Sequence, residues 1–432
     1  MNQMEVLADG RPWRDYLSGL ILHGVKLGLD NIRHLLAGAD SPERDYPSVH
    51  VGGTNGKGST AAFLDAMLRG AGLRVGKFTS PHLLDITERF QINGEPISED
   101  ELRENVGFFQ KIARGMPHPP TFFELNTAVA FRWFSRRGVD AAVIEVGMGG
   151  RFDATNVITP AVCVITNIGL DHTQYLGGTL GEIAFEKAGI LKPGVPCVAG
   201  TLAPEAAEVI AGRASAVGAP LLLPGLDYAF STGGTPLAPL LDLQCGRFQL
   251  SGAPVGLAGA HQAGNAAVAA VAARLLPPPL GPLSRELVCA GLAGVRWPCR
   301  MERVLDGPPV YVDVAHNPDG AASLAGMLGR AVVVFAVSSD KDAAAMLATL
   351  APIARRLVLT VYQGGRSMPL ARLDELAAGI PHVTAPDLAA AIADGLDHAN
   401  AETPLLVCGS VYAAGEARRI LMERHGAAPP RF

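Results

Sequence analysis

Short apolar, β-branched runs recur along the chain between longer stretches in which apolar residues return every three or four positions. Val75 to Thr79, Ala141 to Val146, Val162 to Thr166 and Val195 to Ala199 read as buried strands, and Ser59 to Arg69 reads as a helix between the first of them and an earlier run at Val49. Strands alternating with helices predict an α/β fold, a mostly parallel, doubly wound sheet of the kind found in phosphate-loop ATPases. A second series, Val310 to Val314, Ala331 to Val337, Leu357 to Val361 and Leu405 to Cys408, predicts a smaller Rossmann-like α/β domain. From Pro224 to Leu257 glycine and proline become frequent and short alternating runs such as Arg247 to Leu250 appear, predicting a β-rich extension of the first domain. The proline tract Leu276 to Pro282 reads as a stiff connector. The domain boundary falls near Gly294 to Pro298, which divides the chain into residues 1–294 and 295–432.

The most informative segment is Val49-His50-Val51-Gly52-Gly53-Thr54-Asn55-Gly56-Lys57-Gly58-Ser59-Thr60, a strand joined to a helix by a glycine-rich turn with one lysine. Amides from Asn55 to Thr60 at the positive end of a helix, with Lys57 beside them, make a cradle for a nucleotide triphosphate. The general phosphate-loop pattern asks for glycine where Val51 stands and a hydroxyl where Gly58 stands; the hydroxyls come later, at Ser59 and Thr60. This is a variant loop.

Composition narrows the class. At 432 residues the chain exceeds the usual reach of one core, and 48% hydrophobic with 18% charged residues describes a compact protein. No apolar run approaches the roughly 18 residues that span a bilayer, and Met1 to Arg14 lacks the apolar core of a secretory signal, so no membrane partner and a cytoplasmic location are expected. Six scattered cysteines without a CxxC pair indicate neither a disulfide framework nor a zinc site. A net charge of −5 argues against nucleic acid as a partner.

Three further segments carry chemistry. Glu145 ends a strand, where open α/β sheets bind ligands, and reads either as a magnesium ligand or as a salt-bridged acid. Asp171 and His172 follow the next strand on the same sheet edge; an imidazole is an unusual magnesium ligand, and a loop histidine bonded to a neighbour is the plainer reading of His172. Lys187 lies in the last turn of a helix closed by glycine and proline, where a lysine commonly complements the helix dipole.

Together these segments resemble the folylpolyglutamate synthase and dihydrofolate synthase family of the Mur ligase superfamily. The resemblance runs through Gly53 to Ser59, Thr79 to Leu83, Glu88-Arg89, Thr121 to Glu124, Asp153 to Asn156, Leu170 to His172, Glu186 to Ile190, Asp313 to Pro318 and Asp340 to Asp342. It implies an ATP-dependent amide ligase that activates a pterin-bearing carboxylate, dihydropteroate or a folate, as an acyl phosphate and joins it to glutamate. ATP, two magnesium ions and a carbamate on Lys187 are the implied cofactors, and a monomer is expected.

On that resemblance, Asn55, Gly56, Lys57, Gly58, Ser59 and Thr60 hold phosphates, with Asn265, Arg300 and Asp313 reaching the nucleotide from across the cleft. Ser80, Glu145 and His172 hold magnesium. Lys57, Lys187 and His316 are the catalytic candidates, His316 steadying glutamate or the transferred phosphate unless it is a buried histidine bonded to Asp313. Thr121, Phe122, Phe123, Glu124, Phe152, Asp153 and Ala154 face the pterin, the rings by stacking and Asp153 as an acceptor, although core and turn roles remain open for them. Cys299, Val314 and Phe152 depart from the family pattern. Folate polyglutamylation alone, a Mur-type ligase acting on a uridine nucleotide and a degenerate ATP-binding paralogue are the competing readings. Thr121 to Glu124 followed by Asp153 to Asn156 favours a pterin over a uridine nucleotide.

Overall fold

A computed structural model describes residues 7, 12–21, 24, 26 and 28–432, so the reading of residues 1–14 as lacking a secretory signal lies largely outside the described residues. The first sheet contains β1 (Ser48–Gly52), β2 (Val75–Phe78), β3 (Phe90–Ile92), β4 (Glu95–Pro96), β5 (Ala141–Glu145), β6 (Val162–Ile165), β7 (Cys197–Ala199) and β8 (Leu221–Leu222). Their order is β4-β3-β2-β5-β1-β6-β7-β8, parallel except where β3 pairs with β2 and β4. Every residue of β1, β2, β5 and β6 is buried, as expected for strands covered by helices on both faces. Val49, Val51, Val143 and Val164 pack on one side with the helices Lys57–Gly70 and Ala260–Leu275. Phe78, Ala142 and Ile144 face the helix Phe122–Arg136 on the other.

An antiparallel sheet of β9 (Ala229–Thr235), β10 (Ala238–Cys245) and β11 (Phe248–Pro254) follows, its inward side chains Leu241, Leu243 and Leu250 joining the first core. The proline tract does not separate domains. It joins the helices Ala260–Leu275 and Arg285–Gly294, and Leu276 and Leu280 are buried in the same core as both.

The second sheet is built from β12 (Glu302–Asp306), β13 (Pro309–Val312), β14 (Ala331–Phe335), β15 (Ala354–Leu359), β16 (Val383–Thr384) and β17 (Leu405–Cys408). Its order is β12-β13-β17-β14-β15-β16, with only β12 antiparallel. Alternate residues of β14 divide between two cores: Val333 and Phe335 face one layer of helices, Val332 and Val334 the other. All six cysteines are free thiols. No helix among the described residues is long and apolar enough to cross a membrane.

Candidate functional site

The carboxyl ends of β1, β2, β5 and β6 open onto a cleft whose far wall is the second domain, and β1 delivers the glycine loop there. Thr54 N–H donates to Asn167 O (3.0 Å) and Asn55 N–H to Asn167 Oδ1 (2.8 Å), so the loop after β6 braces the turn. Thr60 N–H is already committed to Gly56 O (2.9 Å). These bonds correct the expected amide cradle. Asn55 and Thr60 spend their amides within the protein, and the N–H groups lacking an intrahelical acceptor are those of Lys57, Gly58 and Ser59. The helix also begins at Lys57, earlier than the sequence pattern suggested, because Gly56 takes the left-handed conformation (φ +82°) at its N-cap. The hydroxyls of Ser59 and Thr60 are buried with no hydrogen-bond partner among the described residues, which fits a site completed by an anion or a metal ion.

The departure at Gly58 has a packing cause. A Cβ there would lie 3.1 Å from Trp297 Nε1, on the segment that links the domains, so the loop trades its usual hydroxyl for contact with the linker.

Two lysines share one carbonyl. Lys57 Nζ donates to Gly53 O (3.2 Å) and Thr54 O (3.0 Å), and Lys187 Nζ donates to the same Gly53 O (2.9 Å). Lys187 is 4% exposed, and burial, then the Lys57 charge, lowers its pKa to about 7. Dipole complementation, the plainer reading of Lys187, does not describe a side chain buried against the phosphate loop.

Glu145 ends β5 with Oε2 accepting the Ser80 amide (3.0 Å); burial raises its pKa, opposed by the charges of Lys57, Arg300 and Arg89. Ser80 and Glu145 are therefore brought together, and His172 lines the same cavity as Ser80, beside Asp171 (3.9 Å). Among the described residues no three Asp, Glu, His or Cys side chains are close enough to hold a metal unaided. Burial, helped by the charges of Lys341, Lys57 and Lys187, lowers the His172 pKa, leaving a neutral ring with a lone pair to give.

His316 is not bonded to Asp313. Its Nδ1 pairs with Val314 O (3.0 Å) and its Nε2 faces Asp171 Oδ2 at 3.8 Å. Asp313 instead accepts the amides of Met301 and Ala315, both at 2.7 Å, so its oxygens are turned to its own loop. Burial would raise the Asp171 carboxyl, but contacts from His316 and Lys341 outweigh it and hold the group well below the usual carboxylate range.

Two cavities meet here. One of about 440 Å³ holds the phosphate loop at Asn55, Gly56 and Ser59 together with Asn265, Arg300 and Asp313. The other, about 420 Å³, contains Ser80, His172 and all seven residues assigned to the pterin. His316 lines both.

In the second cavity the Arg89 guanidinium lies over the Phe122 ring (5.3 Å), while Phe123 leans on Phe78 (5.9 Å). Phe152 lies under Arg151 (4.3 Å). Thr121 and Glu124 turn their polar atoms on each other as a capping box, and Glu124 Oε2 also accepts from Asn31 (3.2 Å). Both line the cavity, and they also fix the start of the helix that presents Phe122 and Phe123. Asp153 accepts the Met148 amide (2.9 Å) and the Thr155 amide (3.0 Å) and hydroxyl (2.5 Å), so it holds its loop as well as lining the cavity. His50 stands behind it, Nε2 2.8 Å from Thr155 Oγ1. Since that hydroxyl donates to Asp153, His50 must be the donor to it, and burial lowers the His50 pKa to about 3, leaving the ring neutral.

Three residues outside the expected set join the cleft. Lys341 Nζ reaches Asp171 Oδ1 (2.8 Å), Asn317 Nδ2 reaches Asn55 Oδ1 (3.1 Å) from the second domain, and Arg89 covers Phe122. All three fall in motifs quoted above, which was the only signal for them.

The Mur ligase middle domain family matches residues 51–197, and the Mur ligase glutamate ligase domain family matches residues 299–411. A Bacillus subtilis protein named dihydrofolate synthase/folylpolyglutamate synthase is 38% identical over 81% of this chain and 84% of its own length. A solved Escherichia coli FolC structure in complex with DHPP and ADP superposes with a TM-score of 0.87 at 31% identity, covering 96% of this chain and 99% of that one. A Yersinia pestis bifunctional folylpolyglutamate synthase/dihydrofolate synthase complexed with AMPPNP and Mn ion gives 0.84 at 33% identity, covering 95% and 97%.

Proposed function

This chain belongs to the folylpolyglutamate synthase and dihydrofolate synthase family of Mur ligases, and from that premise we propose that it is an ATP-dependent ligase adding L-glutamate to dihydropteroate and to folates. The observation that supports the reading is the junction of the two cavities at His316, where a nucleotide's outer phosphate would meet the end of a ligand lying along Phe122 and Phe123. Residues 1–294 form the ATP- and pterin-binding unit and 295–432 the unit that closes on it; the helix Arg285–Gly294 packing on the helix Lys57–Gly70 and the start of the second sheet at Glu302 support that division.

In the reaction a carboxylate oxygen of the pterin substrate attacks the γ-phosphorus, the bond to the β-phosphate oxygen breaks, and ADP leaves. The glutamate amine then attacks the carbonyl carbon of the acyl phosphate, losing a proton as inorganic phosphate departs. The chain's part is to make anions compatible. Lys57 and the amides of Lys57 to Ser59 bind phosphates, and Arg300, which also lines the nucleotide cavity, offsets charge from the other side. Asn265 stands hard against the loop, since a Cβ on Gly56 would collide with its Oδ1. His316, held at Nδ1 by Val314 O, presents Nε2 where phosphate and glutamate meet. Closure over these groups excludes water from an acyl phosphate.

Oxygen donors at Ser80 and Glu145, the unpartnered hydroxyls of Ser59 and Thr60 and the neutral His172 fit magnesium completed by phosphate oxygens. Bound there, the metal supplies Lewis-acid neutralisation of the phosphates. Lys187 carries a carbamate in this reading, supported by its lowered pKa: the neutral amine is the form that adds carbon dioxide. Asp153 reads the pterin ring between Phe152 and Ala154, all three on the cavity wall. The protein works as a monomer in the cytoplasm.

Purified protein with ATP, magnesium and glutamate, given dihydropteroate or tetrahydrofolate in turn, tests the reading. ADP and glutamylated product are expected from both; inactivity on dihydropteroate removes the first-glutamate activity, and inactivity on both removes the ligase.

A further inference from the structure

A third cavity lies at the linker, away from the substrate cavity, and its wall is strongly basic. It measures about 520 Å³ and takes Arg296, Arg300, Arg303, Arg418 and Arg431 against one carboxylate, Glu302. In a chain of net charge −5 such an excess is local and built by the fold, since the five come from the linker, β12, the helix Val411–His425 and the carboxyl-terminal segment.

The single acid is fully used. Glu302 receives Arg418 at Nε (3.1 Å) and Nη2 (2.8 Å) and the Cys299 amide (3.0 Å). Arg418 is 2% exposed, yet its Nη1 has no hydrogen-bond partner among the described residues. Arg303 is balanced by Asp306 (3.0 Å), which is not part of the wall. Arg296 makes one bond, to Val295 O (2.8 Å), and neither it nor Arg431 pairs with a carboxylate among the described residues. An orphaned buried guanidinium N–H beside uncompensated cations is the chemistry of an anion site, because each planar guanidinium offers paired donors to carboxylate or phosphate oxygens. Trp297, Tyr311, Leu237 and Leu257 supply apolar surface between the charges.

We infer that the linker cavity is a second ligand site, distinct from the nucleotide and pterin cavities, that binds a compact oligoanion carrying two or more carboxylate or phosphate groups. Its walls come from both domains, Leu237, Leu257 and Ala258 on one side and Arg303, Tyr311 and Arg418 on the other, so an occupant bridges them. Arg300 lines this cavity and the nucleotide cavity alike. One guanidinium cannot serve both anions fully, so occupancy of the linker site weakens ATP binding, and ATP weakens the oligoanion by the same factor. Two sources have this chemistry: the γ-linked glutamate tail that a glutamate-adding ligase would make, and free phosphate anions. The tail as source rests on the proposed function; the site itself does not.

The test is equilibrium titration of the full chain, saturated with magnesium and ADP to fill the nucleotide site, with γ-linked triglutamate and separately with inorganic pyrophosphate. Saturable binding of one molecule per chain is expected for at least one probe, reduced about tenfold or more in the Arg296→Ala/Arg431→Ala double variant, which keeps the melting temperature and the ATP-dependent turnover of the parent. Triglutamate alone identifies the tail, pyrophosphate alone identifies phosphate, and binding of both identifies a general oligoanion site. No saturable binding of either, or equal binding by the double variant, overturns the inference. Loss of ligase turnover in the parent would count against the proposed function and leave the titration readable.

Discussion

Lys341 of the second domain donates to Asp171 of the first, Nζ to Oδ1 at 2.8 Å, with both side chains largely buried. Asp171 sits between His172 and His316, so this ion pair ties the second domain to the loop that carries His172. Removing the lysine leaves the acid with the His172 amide (2.9 Å) and the two imidazoles, and Lys341→Ala should lower kcat/KM for glutamate about tenfold or more. Steady-state kinetics would show it; values within twofold of the parent would mean that closure does not depend on the pair.

Lys187 gives a pH test with a fixed sign. Its pKa is about 7 in the folded chain and about 10.4 in an unfolded one, so between these values the unfolded state binds more protons and stability rises with pH. The penalty of burying the ammonium is fully present below about pH 7 and is relieved towards 10.4. In carbon dioxide-free buffer Lys187→Met should melt at a higher temperature than the parent at pH 7, with the gap narrowing by pH 9, and should turn over no substrate. A gap that widens with pH, or an active variant, contradicts this account.

Gly58 tests the contact between loop and linker. Gly58→Ser restores the hydroxyl of an ordinary phosphate loop yet pushes its Cβ against Trp297, so the KM for ATP should rise several-fold. Adding Trp297→Phe removes the Nε1 atom and should recover part of the loss. A Gly58→Ser variant that binds ATP as well as the parent would show that the linker yields freely.

His50, through Thr155, aims Asp153 at the substrate cavity. His50→Leu removes the donor and should raise the KM for dihydropteroate several-fold while kcat and the KM for ATP stay within twofold. His50→Gln, which keeps a donor near Nε2, should remain close to the parent. Equal rises in both KM values would indicate a general loss of structure.

The strands were legible because β6 and all of β5 up to Glu145 are apolar runs, and the phosphate loop because its glycines and lysine are local in sequence. Thr121 to Glu124 carries an ordinary capping-box spacing, and its part in starting its own helix was passed over in the sequence. The Asp171–Lys341 pair was not legible as a pair. Its members lie 170 positions apart in loops of different domains, and only the packing of the two domains joins them. The crowding of Gly58 by Trp297 is hidden for the same reason, although the glycine itself stood out as a departure. Burial decided Lys187: a helix-end lysine looks solvated in sequence, and only the packed loop shows its amine enclosed beside Lys57.

The central claim is that the γ-phosphoryl group passes from a nucleotide in one cavity to a carboxylate in the other, forming an acyl phosphate. Dihydropteroate labelled with ¹⁸O in its carboxylate, turned over with ATP, magnesium and glutamate, tests it directly by mass analysis of the phosphate released. The account predicts one ¹⁸O atom in each inorganic phosphate, carried there by the acyl phosphate. Unlabelled phosphate accompanying product formation would contradict it.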